Sequence, residues 1–339
     1  MAADGKPVPG SLYVYAPNQI APIVFTVAYG LSAIGHFYQC FRYKSWRLLG
    51  LHPVCALTFT VGYGLRIYGS HNYIYNDNTM ILIIFILSQV FIFVCPPLLE
   101  LANYHVLGRV LYYMPYFAPL PPAKVLKIFG GLMMLVESLN AVGVALSANP
   151  SSTEAKQTLG SNLTIAALAI QLAVIVIFIV IAGIFHWRCS KANIRSKSIV
   201  TPLITLYVSM VLILARCIYR LIEHFGNTAV HLEDPESLKS LSPILRYEYY
   251  FFIFESTLMF INSVIWNIWN PARLLPQNHR IHLTKDGRAE ITEEEEKDTR
   301  PLLARAGHVV TCGMFFGDKK RKQHPYELNE YQPVSSPSP

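Results

Sequence analysis

Apolar residues run through this chain in long stretches, without the alternation of a half-buried strand or the one-sided stripe of a soluble helix. Seven windows, 20–41, 51–68, 79–102, 125–146, 163–186, 200–222 and 248–269, each approach the roughly 20 mostly apolar residues that cross a bilayer core. The connections between them are short. The pattern therefore predicts an all-α, polytopic membrane protein: a seven-transmembrane helix bundle over 20–270, with 1–19 before it and 271–339 after it. Pro96 and Pro97 lie inside the third window and remove two backbone donors, which predicts a kink near its inner end.

Charge placement orients the bundle. The loops after the first, third and fifth windows hold ten basic residues: Arg42, Lys44, Arg47, Arg109, Lys124, Lys127, Arg188, Lys191, Arg195 and Lys197. The opposite side holds four, Lys6, Lys156, Lys239 and Arg246. Basic loops stay cytosolic, so the N-terminus (1–19) is expected outside and the C-terminus inside. No basic stretch followed by an apolar core and a cleavage site opens the chain, so no removable signal peptide is read. Asn162-Leu163-Thr164 is a formal glycosylation acceptor, but it abuts the fifth window, which argues against its use.

Composition agrees with this class. Hydrophobic residues make up 53% of 339 and charged residues only 14%, against roughly 25% charged in soluble domains. The net charge of +7 does not indicate nucleic-acid binding, because the basic residues are scattered through loops and tail where anionic lipid head groups account for them. Of six cysteines, Cys40, Cys55, Cys95, Cys189, Cys217 and Cys312, none falls in a segment placed outside, so no disulfide framework is expected.

After Asn270-Pro271 the composition shifts to a four-Glu run, a basic run at Lys319–Lys322 and a Pro/Ser-rich end. That predicts a disordered cytosolic tail over 271–339. Asp298 with Leu302-Leu303 resembles an acidic di-leucine signal for trafficking adaptors, a pattern that also arises often by chance.

The candidate chemistry lies in charges within the windows. Leu212 to Gly226, LILARCIYRLIEHFG, sets Arg216, Arg220 and Glu223 about one turn apart on one helix face. At 1.5 Å per residue, Arg66 lies about 9 Å outside the midplane, Glu137 about 3 Å, Arg216 and Arg220 about 7 and 13 Å, and Glu255 about 6 Å. Asn140 lies one turn beyond Glu137, and Glu223 is near the outer rim. Ionisable groups at this depth need partners or a wet cavity. Arg216 and Arg220 are expected to pair with Glu223 locally and with Glu137 and Glu255 across the bundle. Arg66, Glu137, Asn140, Arg216, Arg220, Glu223 and Glu255 are the candidate substrate-binding residues of an outward-open polar cavity. Guanidinium groups there suit phosphate or carboxylate, and carboxylates suit an amine. The alternative is that the pairs only lock helices together.

Other motifs carry less. Gly30, Gly35, Gly62, Gly64, Gly130, Gly131 and Gly143 suit close helix approach rather than phosphate binding, because no strand-loop-helix context surrounds them. His36 reads as a core histidine. No span holds a closely spaced His pair, and no Walker loop, Ser-His-Asp set or Cys-rich metal pattern is present. Neither an enzyme activity nor a cofactor is expected.

Several motifs together resemble the fungal RTA-type family, the resistance-to-aminocholesterol, lipid-translocating exporters. They are GYGLR at 62–66, the Pro pair followed by Tyr104 and Leu107-Gly108-Arg109, and Arg216-Cys217-Ile218-Tyr219-Arg220-Leu221-Ile222-Glu223 before Gly226. A last segment, Glu248 to Tyr250 with Glu255 and Met259, ends at Trp269-Asn270-Pro271. The similarity covers about 15–271. Glu137 and Asn140 stand where that family typically has Asp and Gln, Glu255 where it has Asp, and Asn270 where it has His. The resemblance implies residence in the plasma membrane, or in a vacuolar or other internal membrane. It also implies membrane lipids as partners and a role in sphingoid-base or phospholipid asymmetry and stress or toxin resistance. A seven-helix receptor or sensor that signals membrane stress through the tail is the alternative reading.

Overall fold

The computed structural model describes residues 8–74, 79–147, 153–194, 196–225, 242–276, 278, 281–284 and 290–292, all within one compact unit, Met1–Glu293. Seven long helices make up most of it: α1 Ile20–Arg42, α2 Leu51–His71, α3 Thr79–Tyr113, α4 Pro122–Ser147, α5 Glu154–Lys191 and α6 Lys197–Phe225. The last, α7, joins Glu248–Phe251, a π-helical stretch Phe252–Thr257 and Leu258–Ile268. Six of the seven are long and apolar enough to cross a membrane. Helix α2 is 21 residues long, and His52, Pro53 and Arg66 dilute its apolar character. The chain is an all-α polytopic membrane protein.

Its helices are patterned inside out relative to a soluble protein. On α1, Val24, Val27, Leu31, Ile34 and Phe41 are 56–68% exposed at three- to seven-residue spacing, forming a lipid-facing stripe. The opposite face buries Tyr29, Ser32, Ala33, His36, Gln39 and Cys40. In hydrocarbon no hydrophobic force draws one helix to another, so close packing of small residues and interhelical hydrogen bonds must do so. The α4–α5 hairpin shows the first device. A Cβ on Gly143 would lie 2.4 Å from Thr164 Oγ1 and 2.8 Å from the Gly160 carbonyl oxygen, so only hydrogen fits there. Gly62 plays the same part between α2 and α3, with Ile92 2.9 Å from the position of its missing Cβ. Gly64, grouped with these on sequence, instead faces open space. Asn162 of the glycosylation sequon is exposed on α5, but Thr164 is buried and bonded to the Gly160 carbonyl.

Two features depart from the pattern reading, and a third lies where the pattern is silent. Helix α3 is 35 residues long and continues through Pro96 and Pro97 to Tyr113, eleven residues beyond the predicted window. The polar residues that close a hydropathy window (Asn103, Arg109) are buried against other elements, so helix and apolar window end at different places. Next, persistent structure continues past Asn270, where composition predicts little. Asn270 caps a 3-10 turn at Pro271–Arg273, and Ile281–Leu283 (β1) pairs antiparallel with Glu290–Thr292 (β2). Arg109 holds this segment by donating to the carbonyls of Pro276, Asn278 and Ile281 at 3.0–3.3 Å. Finally, the N-terminal segment packs onto the bundle, with Ser11 bridged to Ile74 and Tyr13 and Val14 buried. The di-leucine pattern, the basic run and Cys312 lie outside the described residues.

Candidate functional site

The centre of the site is set by the π-helical stretch of α7. Widening the helix by one residue per turn turns the consecutive residues Glu255 and Ser256 both inward, and each is 0% exposed. Ser256 meets α1 and α2: its carbonyl accepts from Tyr29 Oη at 2.9 Å and its hydroxyl from Tyr63. Glu255 meets α6. Arg216 Nε lies 2.9–3.0 Å from both of its carboxylate oxygens and Nη2 2.9 Å from Oε1, a forked ion pair with both residues at most 5% exposed.

Two further carboxylates share this region. Glu100 of α3 is 1% exposed and accepts from Gln171 Nε2 of α5 at 2.8 Å and from Tyr104 Oη. Glu137 of α4 is half-buried, bonds Asn140, and lies within the field of both Arg216 and Glu100. Neither carboxylate makes an ion pair among the described residues. One guanidinium therefore serves three carboxylates, and with all ionised the cluster carries an excess negative charge.

The other two arginines pair elsewhere. Arg66 donates to Glu248 at 3.0 Å and to Tyr15 Oη at 3.3 Å, and stacks 4.7 Å from the Tyr13 ring centroid and 4.2 Å from that of Phe251. Glu248 also accepts from the Asn18 backbone N–H at 2.7 Å, tying the start of α1 to the start of α7. Burial, ahead of any neighbouring charge, pushes the Tyr13 and Tyr15 hydroxyls above their ordinary pKa, so both stay protonated beside Arg66. Arg220 pairs with Glu223 on its own helix and lies over Phe93 at 4.3 Å, at a partly exposed position.

The expected partners thus divide. Arg216–Glu255 and Arg220–Glu223 form as anticipated. Glu137 pairs with neither arginine, and Arg66 takes Glu248, which the sequence reading did not select. The outward-open cavity is not the state observed, because Arg66, Arg216, Glu248 and Glu255 are all below 9% exposure and the N-terminal tyrosines close over Arg66. Paired charges in a low-dielectric core draw together unless something hydrated separates them. Glu100 is likewise absent from the candidates the sequence offers. Its signal was weak because it lies near the end of the 79–102 window, and only the full length of α3 carries it to the interior.

A separate polar cluster surrounds His36. Its ring stacks 5.5 Å from that of His52 on α2, a histidine pair that no spacing within one helix reveals. His36 Nε2 meets Ser263 Oγ at 3.2 Å. Among the described residues no group of three or more His, Cys, Asp or Glu is placed to hold a metal ion, and the five described cysteines are buried and free.

The family model described as "RTA1 like protein" matches residues 54–278, a range that includes every Arg and Glu of the site but not the N-terminal Tyr13, Tyr15 and Asn18. A protein of Leptosphaeria maculans named "Lipid-translocating exporter-like protein RTA1" is 47% identical over 97% of this chain, which spans 64% of that relative's length. "Protein RTA1" of Saccharomyces cerevisiae is 28% identical over 83% of the chain and 89% of its own length. "Probable lipid transporter atnI" of Emericella nidulans is 22% identical over 78% of the chain and 69% of its own. No solved structure matches. With a family match over about two thirds of its length and these fungal relatives, the chain belongs to the RTA1-like family of membrane proteins.

Proposed function

We propose that this protein binds and translocates amphipathic lipids without nucleotide, and that its head-group site is the cluster of Glu100, Glu137, Asn140, Arg216 and Glu255. The carrying observation is the unequal charge count around Arg216. Two carboxylates, buried Glu100 and half-buried Glu137, that lack a cation of their own among the described residues suit an ammonium head, as in a sphingoid base, better than a phosphate. Arg66–Glu248 and Arg220–Glu223 flank this cluster on the outer side and act as gates that part when a head group enters. In this reading all seven helices span the bilayer, α2 included, with the N-terminus outside and residues 294–339 cytosolic. The basic residues that follow α1, α3 and α5 support that orientation. The names of the fungal relatives support the lipid substrate. Movement of a sphingoid base across the plasma membrane would lower its toxic level in one leaflet, which fits a role in stress resistance.

The test is equilibrium binding of a tritiated long-chain amino alcohol to the purified full chain. Glu100→Gln is expected to weaken binding about tenfold, the equivalent of 1.4 kcal/mol, while leaving the affinity for the matching neutral alcohol unchanged. Equal affinities of wild type and variant for the amine would overturn the head-group assignment.

A further inference from the structure

The first and last helices face each other along a line of polar side chains that crosses the membrane. At the outer end the Asn18 backbone N–H donates to Glu248. Tyr29 Oη then bonds the Ser256 carbonyl at 2.9 Å, and Ser32 Oγ lies 2.7 Å from Ser263 Oγ. Next, Asn267 Nδ2 donates to Ser32 Oγ at 2.8 Å, and Gln39 Nε2 to the Asn267 carbonyl at 2.8 Å. At the inner end Asn270 donates to Gln39. From Asn18 to Gln39 the line is about 32 Å long at 1.5 Å per residue, matching the roughly 30 Å hydrocarbon core.

Interhelical hydrogen bonds also join helices in lipid, but the α4–α5 pair is held by close approach at Gly143 and Gly160, so helix packing alone does not require a polar line of this length. Hydrogen-bonding capacity is left over beside the line. Among the described residues, His52 of α2, stacked on His36, has no partner on either ring nitrogen, and buried Asn262 of α7 has none on its amide.

On its lipid side the same seam opens into a groove of about 690 Å³. The groove is walled by Val24, Val27, Leu31 and Phe260, and its mostly apolar lining includes two polar side chains, Ser32 and Asn267. Its size is in the range of about 300–1,000 Å³ typical of small-ligand sites. Ser32 is near the middle of α1, at the depth where bilayer lipids place their chain ends. Hydrogen-bonding side chains at that depth have no use for a methyl terminus and suit a head group in transit. The groove faces the bilayer, so its occupant comes from the bilayer.

We infer that this seam is the crossing route: the head group exchanges hydrogen bonds along the α1–α7 line while the chain lies in the groove. The inference rests on the lipid-translocation reading and adds where the lipid passes. Apart from Arg42 at the end of α1, the two helices carry no Lys or Arg, only Glu248 and Glu255 of α7, so the line itself offers no cation to a phosphate at mid-depth. The occupant is a single-chain amphipath whose head bears hydroxyl and amine groups. The π-helical stretch joins route to charge cluster, because Ser256 lies on the line and the adjacent Glu255 pairs with Arg216.

The experiment uses the full chain in liposomes, without nucleotide, and follows transbilayer movement of a fluorescent long-chain amino alcohol and of a fluorescent diacyl phosphatidylglycerol. Val27→Trp fills the groove and Asn267→Leu interrupts the line; Ile177→Trp, on the lipid-facing side of α5 and 52% exposed, is the control. Movement of the amino alcohol is expected to slow about tenfold in the first two and to match wild type in the control. If Val27→Trp does not fold, Val24→Cys is reconstituted first and then alkylated with a bulky maleimide. The parent chain receives the same treatment. Wild-type rates in the groove and line variants overturn the route while leaving translocation standing. Equal movement of phosphatidylglycerol overturns the head-group restriction. A wild-type protein that moves neither lipid overturns the translocation reading itself.

Discussion

Arg216 and Glu255 form a unit whose halves are costly alone. Removing one leaves an uncompensated charge at a site at most 5% exposed, so Arg216→Gln is expected to cost about 3–5 kcal/mol, read as a fall in melting midpoint in detergent. Replacing both, Arg216→Met with Glu255→Leu, is expected to return most of that stability, because apolar pairs of similar volume substitute well for buried ion pairs. The two variants separate helix locking from ligand binding. If the stable double variant still binds the long-chain amine like wild type, the pair only locks helices. Residues of this kind are legible because a charge inside an apolar window stands out, as Arg66, Arg216, Arg220 and Glu255 do, and Glu223 follows from its spacing one turn from Arg220. Glu248 and Glu100 are not legible in this way, because each lies at a window's edge, where a charge is ordinary. Their burial depends on what packs over them: Asn18 and Arg66 on Glu248, Gln171 and Tyr104 on Glu100.

At the scale of elements, hydropathy placed the seven helices well and their ends poorly. Boundaries failed where polar residues stay helical inside the fold, as along α3 from Asn103 to Tyr113. The π-helical stretch carries no Gly or Pro to signal it, and its evidence is the inward turn of two consecutive residues. The His36–His52 stack joins two helices and is invisible to any spacing rule. The α4–α5 contact yields a direct prediction. Gly143→Ala places a methyl against the Gly160 backbone, which cannot rotate away, and is expected to destabilise by about 1–3 kcal/mol. Gly64→Ala, with nothing within 4 Å of its added Cβ, is expected to be neutral or mildly stabilising. A thermal shift comparison of the two in one detergent checks both; equal midpoints would contradict the close approach.

For the whole molecule, the described unit ends at Glu293, and residues as far as Leu283 belong to its packed core. Truncation after Glu293 is therefore expected to preserve folding and lipid movement, whereas truncation after Pro276 removes β1 and the carbonyls that Arg109 grips at Asn278 and Ile281. Loss of toxin resistance on the first cut, with lipid movement intact in liposomes, would point to signalling through the tail. The observed state is closed at the Arg66 end of the bundle by the tyrosines over that residue, and Tyr13→Ala is expected to speed entry of lipid from that end. The most direct test of the central claim is nucleotide-free transbilayer movement of a long-chain amino alcohol in liposomes holding the full chain. The account predicts movement well above that of protein-free vesicles, slowed about tenfold by Glu100→Gln. Movement no faster than in empty vesicles, for amine-bearing and phosphate-bearing lipids alike, would contradict it.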